Sequence, residues 1–354
     1  MILVIAGTRP ELIKMTPLVI ELQRRKVDVK FVSTGQHDIS EAAWPGAPSP
    51  DIILGGPVKG TVLPEQFSHI FSSVLAEIAL WRPSAVIVQG DTTSVLVGAQ
   101  AAFMSDIPVV HIEAGLRSGN FRDPYPEEAY RQIVSRLASL NCAPTLRAAR
   151  VLMSENVSGR IVVTGNTITD AVRLALPHAE WPIDLPEPQG RMLLATCHRR
   201  ENWGQGAEML LRELLSVKEI MGARGGGLCG VYVVVHPNPL ASAPFLEYRG
   251  EGIILVPPQP YTAMLALLNR ADVIATDSGG LMEEAVTLGK NVCIYRRTTE
   301  RQEAVDAGAA WFGELEEMKK MLVDMLGGYK LPVCMDTFGD GHAAERIADE
   351  LERI

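Results

Sequence analysis

Short apolar runs recur along the chain, each followed by small or polar residues and then by a segment whose apolar positions fall three and four apart. Ile2 to Ala6 predicts a strand, Gly7-Thr8-Arg9-Pro10-Glu11 a turn, and Leu12 to Arg25 a helix. Pro10 has a φ suited to a first helical turn, and Glu11 is favoured near the positive helix end. Val29 to Ser33 ends in Thr34-Gly35-Gln36-His37, and residues 44 to 64, rich in proline and glycine, read as loop before a helix over Glu65 to Trp81. Ala85 to Gln89 opens into Gly90-Asp91-Thr92-Thr93-Ser94 and a helix of small residues reaching about Ser105. Pro108 to Ile112 runs into Glu113, Gly115 and Arg117, with Pro126-Glu127-Glu128 at the start of the next helix. Ile161 to Thr164 leads to Gly165-Asn166-Thr167, where the pattern places a domain boundary to within about ten residues.

A proline-rich connector over 177–190 precedes a second round of the same rhythm. Met192 to Thr196 leads into Cys197-His198-Arg199-Arg200-Glu201-Asn202, and Val231 to Val235 into His236-Pro237. Ile253 to Val256 leads into Pro258-Gln259, Val273 to Thr276 into Asp277-Ser278-Gly279-Gly280, and Val292 to Tyr295 into Thr298-Thr299-Glu300-Arg301. After Gly339-Asp340-Gly341, a helix with Ile347 and Leu351 on one face is long enough to pack back across another domain. Apolar strands alternating with helices predict an α/β fold of two Rossmann-like domains, each with a parallel sheet covered on both faces. Every polar cluster falls at the carboxyl end of a strand, where ligands bind in open α/β sheets. A single site in a cleft between facing domains is the economical expectation.

Composition narrows the partners. A chain of 354 residues suits two domains, and 47% hydrophobic with 21% charged residues describes a soluble globular protein. With 33 basic and 42 acidic residues the net charge is −9, which argues against nucleic acid held on a broad basic face. A small anion remains compatible, because helix N-termini and a few arginines hold phosphate locally. The start MILVIAGTRPE lacks a basic region and a long apolar run, and no segment approaches the ~20 apolar residues of a membrane span, so a cytoplasmic location is expected. Cys142, Cys197, Cys229, Cys293 and Cys334 show no C-x-x-C pair and read as reduced, buried thiols. Cys197 beside His198 is not taken as a nucleophile and base, since neighbours on a strand point to opposite faces.

The chemistry sits in the strand exits. Asp277-Ser278-Gly279-Gly280 ends a strand and opens a helix, so its backbone can approach an anion at a positive helix end; a plain N-cap is the alternative. Gly225 to Gly230 satisfies G-x-G-x-x-G literally, but it follows a helix and precedes a strand, so it reads as a flexible turn and implies no nicotinamide cofactor. Histidines and cysteines show no ligand spacing, and no metal is expected. His198 and His236, both at strand exits, are read as ligand contacts; hydrogen-bonded structure is the alternative. Asp91, Glu113 and Glu127 are three carboxylates at the active edge of one domain. Individually they fit a helix cap, an ion pair and a solvated helix start; together they look like acid–base apparatus. Arg131, four residues after Glu127, has the spacing to orient it.

GTRPE, QGDTTS, HIEAGLRSG, PEEAYR, TGNT, CHRREN, TDSGG and TTER, in this order, resemble the non-hydrolysing UDP-N-acetylglucosamine 2-epimerases from end to end. The resemblance implies the two-domain fold shared with GT-B glycosyltransferases, a homodimer, and a last helix that crosses back to the first domain. The domains would be 1–165 with 338–354, carrying the carboxylates, and 166–337, binding UDP. Asp91, Glu113 and Glu127 match the family's acid–base carboxylates, and His198 its functional histidine. Arg9, Lys14, Arg131, His236, Gln259, Ser278, Gly279, Gly280, Glu284 and Arg301 would contact the UDP-sugar. The implied reaction inverts C2 of UDP-GlcNAc to give UDP-ManNAc without NAD or another cofactor, by eliminating UDP to a 2-acetamidoglucal and adding it back.

Several positions depart from the family's pattern. Tyr130 stands where Asn is usual, Met264 where an aromatic often packs near the uracil, Asn291 in place of a Pro after Gly-Lys, and Gln302 for the Pro of TERPE. A second, activating UDP-sugar site would draw on Gln36, Arg200 and His236, with His69 at the place of a usual Arg. A hydrolysing epimerase, a diacetamidouronate epimerase, a GT-B glycosyltransferase and a catalytically silent nucleotide-sugar binder are the competing readings.

Overall fold

The structure is a computed structural model that describes all residues except 38, 40, 41, 57–59, 226, 227 and 354, and the side chains of 228 and 229. It divides into two compact units, one formed by Met1–Leu174 with Phe338–Ile354 and the other by Ala175–Thr337.

In the first unit the predicted rhythm becomes β1 (Ile2–Ala6), α1 (Arg9–Arg24), β2 (Val29–Ser33), β3 (Ile52–Ile53), α2 (Leu63–Trp81), β4 (Ala85–Gln89) and α3 (Thr93–Met104). It continues through β5 (Val109–Ile112), α4 (Glu127–Leu137), β6 (Leu140–Ala143), α5 (Leu146–Ser154), β7 (Arg160–Val163) and α6 (Thr167–Ala175). All strand pairs are parallel, in the order β3-β2-β1-β4-β5-β6-β7. The central strands β1, β4 and β5 are buried along their whole length, which is why they read as unbroken apolar runs. The two-residue β3 lies in the stretch predicted as loop, too short to leave a period in the sequence.

The second unit holds β8 (Arg191–Thr196), α7 (Gln205–Ala223), β9 (Leu228–Val234), α8 (Pro239–Glu247), β10 (Ile253–Val256), α9 (Tyr261–Arg270) and β11 (Val273–Thr276). Then come α10 (Gly279–Thr287), β12 (Asn291–Tyr295), α11 (Gln302–Asp306), β13 (Trp311–Gly313) and α12 (Leu315–Leu326). Its six strands are again all parallel, in the order β10-β9-β8-β11-β12-β13. Leu193, Ala195, Leu210, Leu214, Val231, Val273 and Met318 are among the buried side chains that join this sheet to α7 and α12. In both sheets the strand order reverses next to the first strand, between β1 and β4 and between β8 and β11. Loops diverge at such a point and leave a crevice at the carboxyl ends.

The helix α13 (Ala343–Leu351) belongs to the first unit and packs on α1. Ala343, Ala344, Ile347 and Ala348 form its buried face, while Arg25 reaches Asp349 at 2.7 Å and Glu352 at 3.2 Å. The first unit runs on through Leu174, inside the span expected for the boundary around 165. The cause is Asp170, whose two carboxylate oxygens accept from the backbone N–H groups of Ala343 and Ala344 at 3.1 and 2.9 Å and cap α13. Cys142, Cys197 and Cys293 are buried free thiols, pushed up to about 12 or beyond by burial; Cys334 is half-exposed, contrary to expectation, and the Cys229 side chain lies outside the description. The predicted glycine turn at 225–230 also falls partly outside the described residues, at 226 and 227. Among the described residues no helix is long and apolar enough to cross a membrane.

Candidate active site

In the first unit the exits of β4 and β5 carry Asp91 and Glu113, two of the three predicted carboxylates, and Glu127 opens α4. Gly7 leaves β1 with no room for a side chain: a Cβ there would lie 1.9 Å from Ser94 Oγ and 2.4 Å from Thr34 Oγ1. Glu11, one turn into α1, turns back so that one oxygen, Oε2, accepts from Gly7 N at 2.6 Å and Thr8 N at 3.2 Å. This is half of a capping box, and it fixes the turn that presents Arg9, which is half-buried at the first position of α1.

Glu113 follows β5 in the left-handed region, with φ +63. That conformation is uncommon for a residue with a Cβ and concentrates where a site over-determines the backbone. Its carboxylate, 7% exposed, accepts from Lys14 Nζ at 2.7 Å and from Gln89 Nε2. Lys14 is itself buried on α1, so the pair is a desolvated one. Asp91, at the exit of β4, is bonded to the guanidinium of Arg131, which also reaches Glu128 at 3.1 Å.

Glu127 stands at the helix start as expected, while Glu128 does more than the sequence suggests. Glu127 is half-buried at the first position of α4. Glu128, predicted to be a helix-start residue and no more, is fully buried and accepts from Ser118 N at 3.0 Å, Arg131 Nη1 and Gln132 Nε2. It ties the loop after β5 to α4. Arg131 is thereby fixed between Glu128 and Asp91. His111, wholly buried one strand residue before Ile112, bonds Gly90 O at 2.8 Å, and burial pushes its imidazole down to about 4.

The second unit sets arginines against buried carboxylates beside a helix N-terminus. Ser278 is the N-cap of α10, with its Oγ accepting from Leu281 N at 3.4 Å, so the cap and the helix-end geometry are present together. Gly279 lies beneath the Arg301 guanidinium: a Cβ there would sit 2.6 Å from Nη1. Around Gly280 no described residue outside its own stretch of helix comes within 4 Å of the place a Cβ would take. Arg301 Nε donates to Glu283 at 2.6 Å, and Nη1 donates to Glu300. Glu300 also accepts from Arg296 at 2.7 Å and Arg199 at 3.3 Å. Three arginines thus share two buried carboxylates beside a helix N-terminus, a setting that favours a multiply charged anion. Glu284 is buried on α10, and Gln259, half-exposed after β10, donates from Nε2 to Pro257 O at 2.9 Å.

His198 follows β8. Its N–H donates to Asp277 Oδ1 at 2.8 Å, and its ring stands edge-on to His236 with centroids 5.7 Å apart and planes at 88°. His198 Nε2 is buried without a hydrogen-bond partner among the described residues. Burial holds both imidazoles below the ordinary histidine value, against the nearby negative charge of Asp277. His236 Nδ1 accepts from Asn238 N at 3.0 Å, which leaves Nε2 as its N–H in the neutral ring. Among the described residues no group of three or more His, Cys, Asp or Glu is arranged to hold a metal ion.

The residues named for a second site fall in both units. Gln36 Oε1 accepts from Ser94 N at 3.1 Å and Ser94 Oγ at 2.6 Å; His69 bonds Gly55 O on an exposed face; Arg200 is exposed in a single 3-10 turn, Arg200–Asn202. Of the departures, Tyr130 is half-buried against the first unit's core, and Met264 is buried in α9. Glu11, Gln89, Glu128, Asp277, Glu283, Arg296 and Glu300 shape these clusters and were not singled out as site residues. Their sole sequence signal is position within a strand-exit segment.

The sequence pattern that defines UDP-N-acetylglucosamine 2-epimerases matches residues 20–352. The UDP-N-acetylglucosamine 2-epimerase of Escherichia coli strain K12 is 35% identical, over 99% of this chain and 98% of that one. The crystal structure of UDP-GlcNAc 2-epimerase from Neisseria meningitidis, bound to UDP-GlcNAc, superposes with a TM-score of 0.87 at 30% identity and covers 100% of both chains. At the level of fold alone, the glycosyltransferase SnogD from Streptomyces nogalater matches with a TM-score of 0.56 at 14% identity over 99% of this chain and 98% of that one. With two parallel α/β sheets of this order and a match along nearly its whole length, the chain belongs to the UDP-N-acetylglucosamine 2-epimerase family.

Proposed function

We propose that the protein interconverts UDP-GlcNAc and UDP-ManNAc without a bound cofactor, by elimination and re-addition of UDP. The observation that carries this reading is Glu113, a buried carboxylate held in the left-handed region at a strand exit by Lys14 and Gln89. A core has no use for such an arrangement, whereas a base needs its orientation fixed in advance.

In the proposed step a carboxylate removes the C2 proton. The C2–H electron pair becomes the C1=C2 double bond, and the C1–O bond breaks with its pair leaving on UDP. A carboxyl group on the opposite face returns a proton to C2, and UDP adds back at C1. The C2–H has no adjacent carbonyl to acidify it, so stabilising the departing diphosphate must lower the barrier. Arg301 and the N-terminus of α10 are suited to that charge, with Ser278, Gly279, Gly280, Gln259 and Glu284 as further nucleotide contacts. Asp91, fixed by Arg131, and Glu127 are the other proton-carrying groups in this reading, and His198, whose buried Nε2 has no partner among the described residues, is the histidine that would contact the substrate. Arg9, Lys14 and His236 complete the polar lining.

The test is incubation with UDP-GlcNAc in D2O, followed by NMR at C2. Deuterium at C2 together with UDP-ManNAc is the expected result. Free ManNAc with UDP would replace the proposal by a hydrolysing epimerase, and absence of exchange in a protein that binds UDP would remove this substrate. Glu113→Gln is expected to bind UDP nearly as the parent does while losing most C2 exchange; retained exchange would take Glu113 off the list of catalytic groups.

We further propose a homodimer. Phe103 and Met104 at the end of α3 are 57% and 68% exposed, and Ile133 on the adjoining α4 is 43% exposed. Large apolar side chains left outside on neighbouring helices are what a partner copy would cover.

A further inference from the structure

We infer that Asp277 is a positioning residue for His198, fixing the histidine's backbone at the exit of β8 to the strand that carries the anion-binding turn. The inference rests on the proposed role of His198 and concerns the second unit alone.

Strands β8 and β11 are neighbours at the reversal point of the second sheet, paired through Ala195 and Ala275. Past that pair the Thr196 and Thr276 hydroxyls bond each other at 2.6 Å, and both residues are wholly buried. One residue on, the two chains part toward different loops. Asp277 spans the opening with its side chain: Oδ1 accepts from His198 N at 2.8 Å, and Oδ2 accepts from Arg199 N and Asn202 Nδ2, both at 2.9 Å. It is 0% exposed and has no ion-pair partner among the described residues. Three N–H dipoles therefore compensate a buried charge. That arrangement is costly to disturb and fixes direction well.

The peptide groups of His198 are gripped from both sides, since Trp203 Nε1 donates to its carbonyl at 3.2 Å. His236 packs against the ring, with Trp203 tilted over His236 at 5.4 Å. What the scaffold leaves over is His198 Nε2. A carboxylate is the right side chain for this task because it only accepts. Asparagine is nearly the same shape, yet its NH2 would face an N–H donor at one end of the bridge.

The inference predicts that Asp277→Asn lowers kcat by about 100-fold, the cost of a histidine displaced by a fraction of its contact distance. UDP affinity should change by no more than a few-fold, because the Asp277 side chain is turned to the His198 loop, leaving the backbone of its own turn to the anion. The imidazole of His198, followed by NMR in histidine-labelled protein and assigned through His198→Asn, should titrate at lower pH in the variant. A facing negative charge has gone, while the ring of His236, its other titratable neighbour, remains. Unchanged kcat and an unchanged titration would overturn the inference. So would a loss of UDP binding as large as the loss of kcat, which would place Asp277 in the anion site itself. If Asp277→Asn does not fold, Asn202→Ala decides in its place: it removes one of the three donors, and kcat must fall with UDP binding kept. The titration needs no turnover, so a protein inactive on UDP-GlcNAc would still report on Asp277.

Discussion

Glu11 sits at the first turn of α1 with its carboxyl group wholly enclosed, and burial pushes its pKa up from 4.5 to about 7, against the pull of the Gly7 and Thr8 N–H groups. A carboxyl whose folded-state pKa is raised binds its proton more tightly when folded. Its favourable contribution is therefore complete below pH 4.5 and is lost as pH climbs through 7, amounting to about 3 kcal/mol across that window. Because a single oxygen accepts both backbone N–H groups, Glu11→Gln keeps those bonds and removes the charge. The variant should be less sensitive than the parent to the change from pH 5 to pH 8 in urea-unfolding midpoints; parallel curves would show that Glu11 ionises without cost. Nothing in GTRPE signals this. Proline followed by Glu at a helix start announces a cap, and the cap is there, but enclosure depends on what packs over it. The same holds for Glu113 and Glu128. The sequence marks both as carboxylates near strand and helix ends, while their partners Lys14 and Ser118 come from other elements.

Strand exits were legible because a buried parallel strand must be apolar throughout and must stop where polar residues begin. Strand order was not legible, and order decides which exits are neighbours. Hence the segments Cys197–Asn202 and Asp277–Gly280 could each be recognised, while the bond from His198 to Asp277 could not. The two glycines after Ser278 look interchangeable in sequence and are not. Alanine at 279 improves helix propensity but would collide with an Arg301 side chain already held by Glu283 and Glu300. Gly279→Ala should therefore fold normally and weaken UDP binding by about tenfold, the loss of one charge-assisted hydrogen bond. Calorimetry would check this, and an unchanged Kd would separate Arg301 from the nucleotide. At Gly280 a Cβ meets no described residue outside its own stretch of helix, so a loss of UDP binding in Gly280→Ala reports on the ligand and not on a clash within the protein.

For the whole molecule, the homodimer reading predicts that light scattering finds twice the 38.5 kDa chain mass, and that Phe103→Asp with Met104→Asp returns it to one chain mass. A parent protein that runs as a monomer at micromolar concentration would end that reading. The first unit ends at Leu174, inside the span expected around 165, and Asp170 and the residues it caps are separated by the entire second unit. Local pattern cannot show a partner that distant. That separation also sets an order of events in the cell. While the chain emerges from the ribosome, β1 to α6 are available early, but the face of α1 that receives α13 stays uncovered until the residues after 338 have been made. The second unit has every one of its own strands before then. The later-made half thus has all its strands first, whereas the earlier-made half lacks the helix that covers α1 until the residues after 338 are translated.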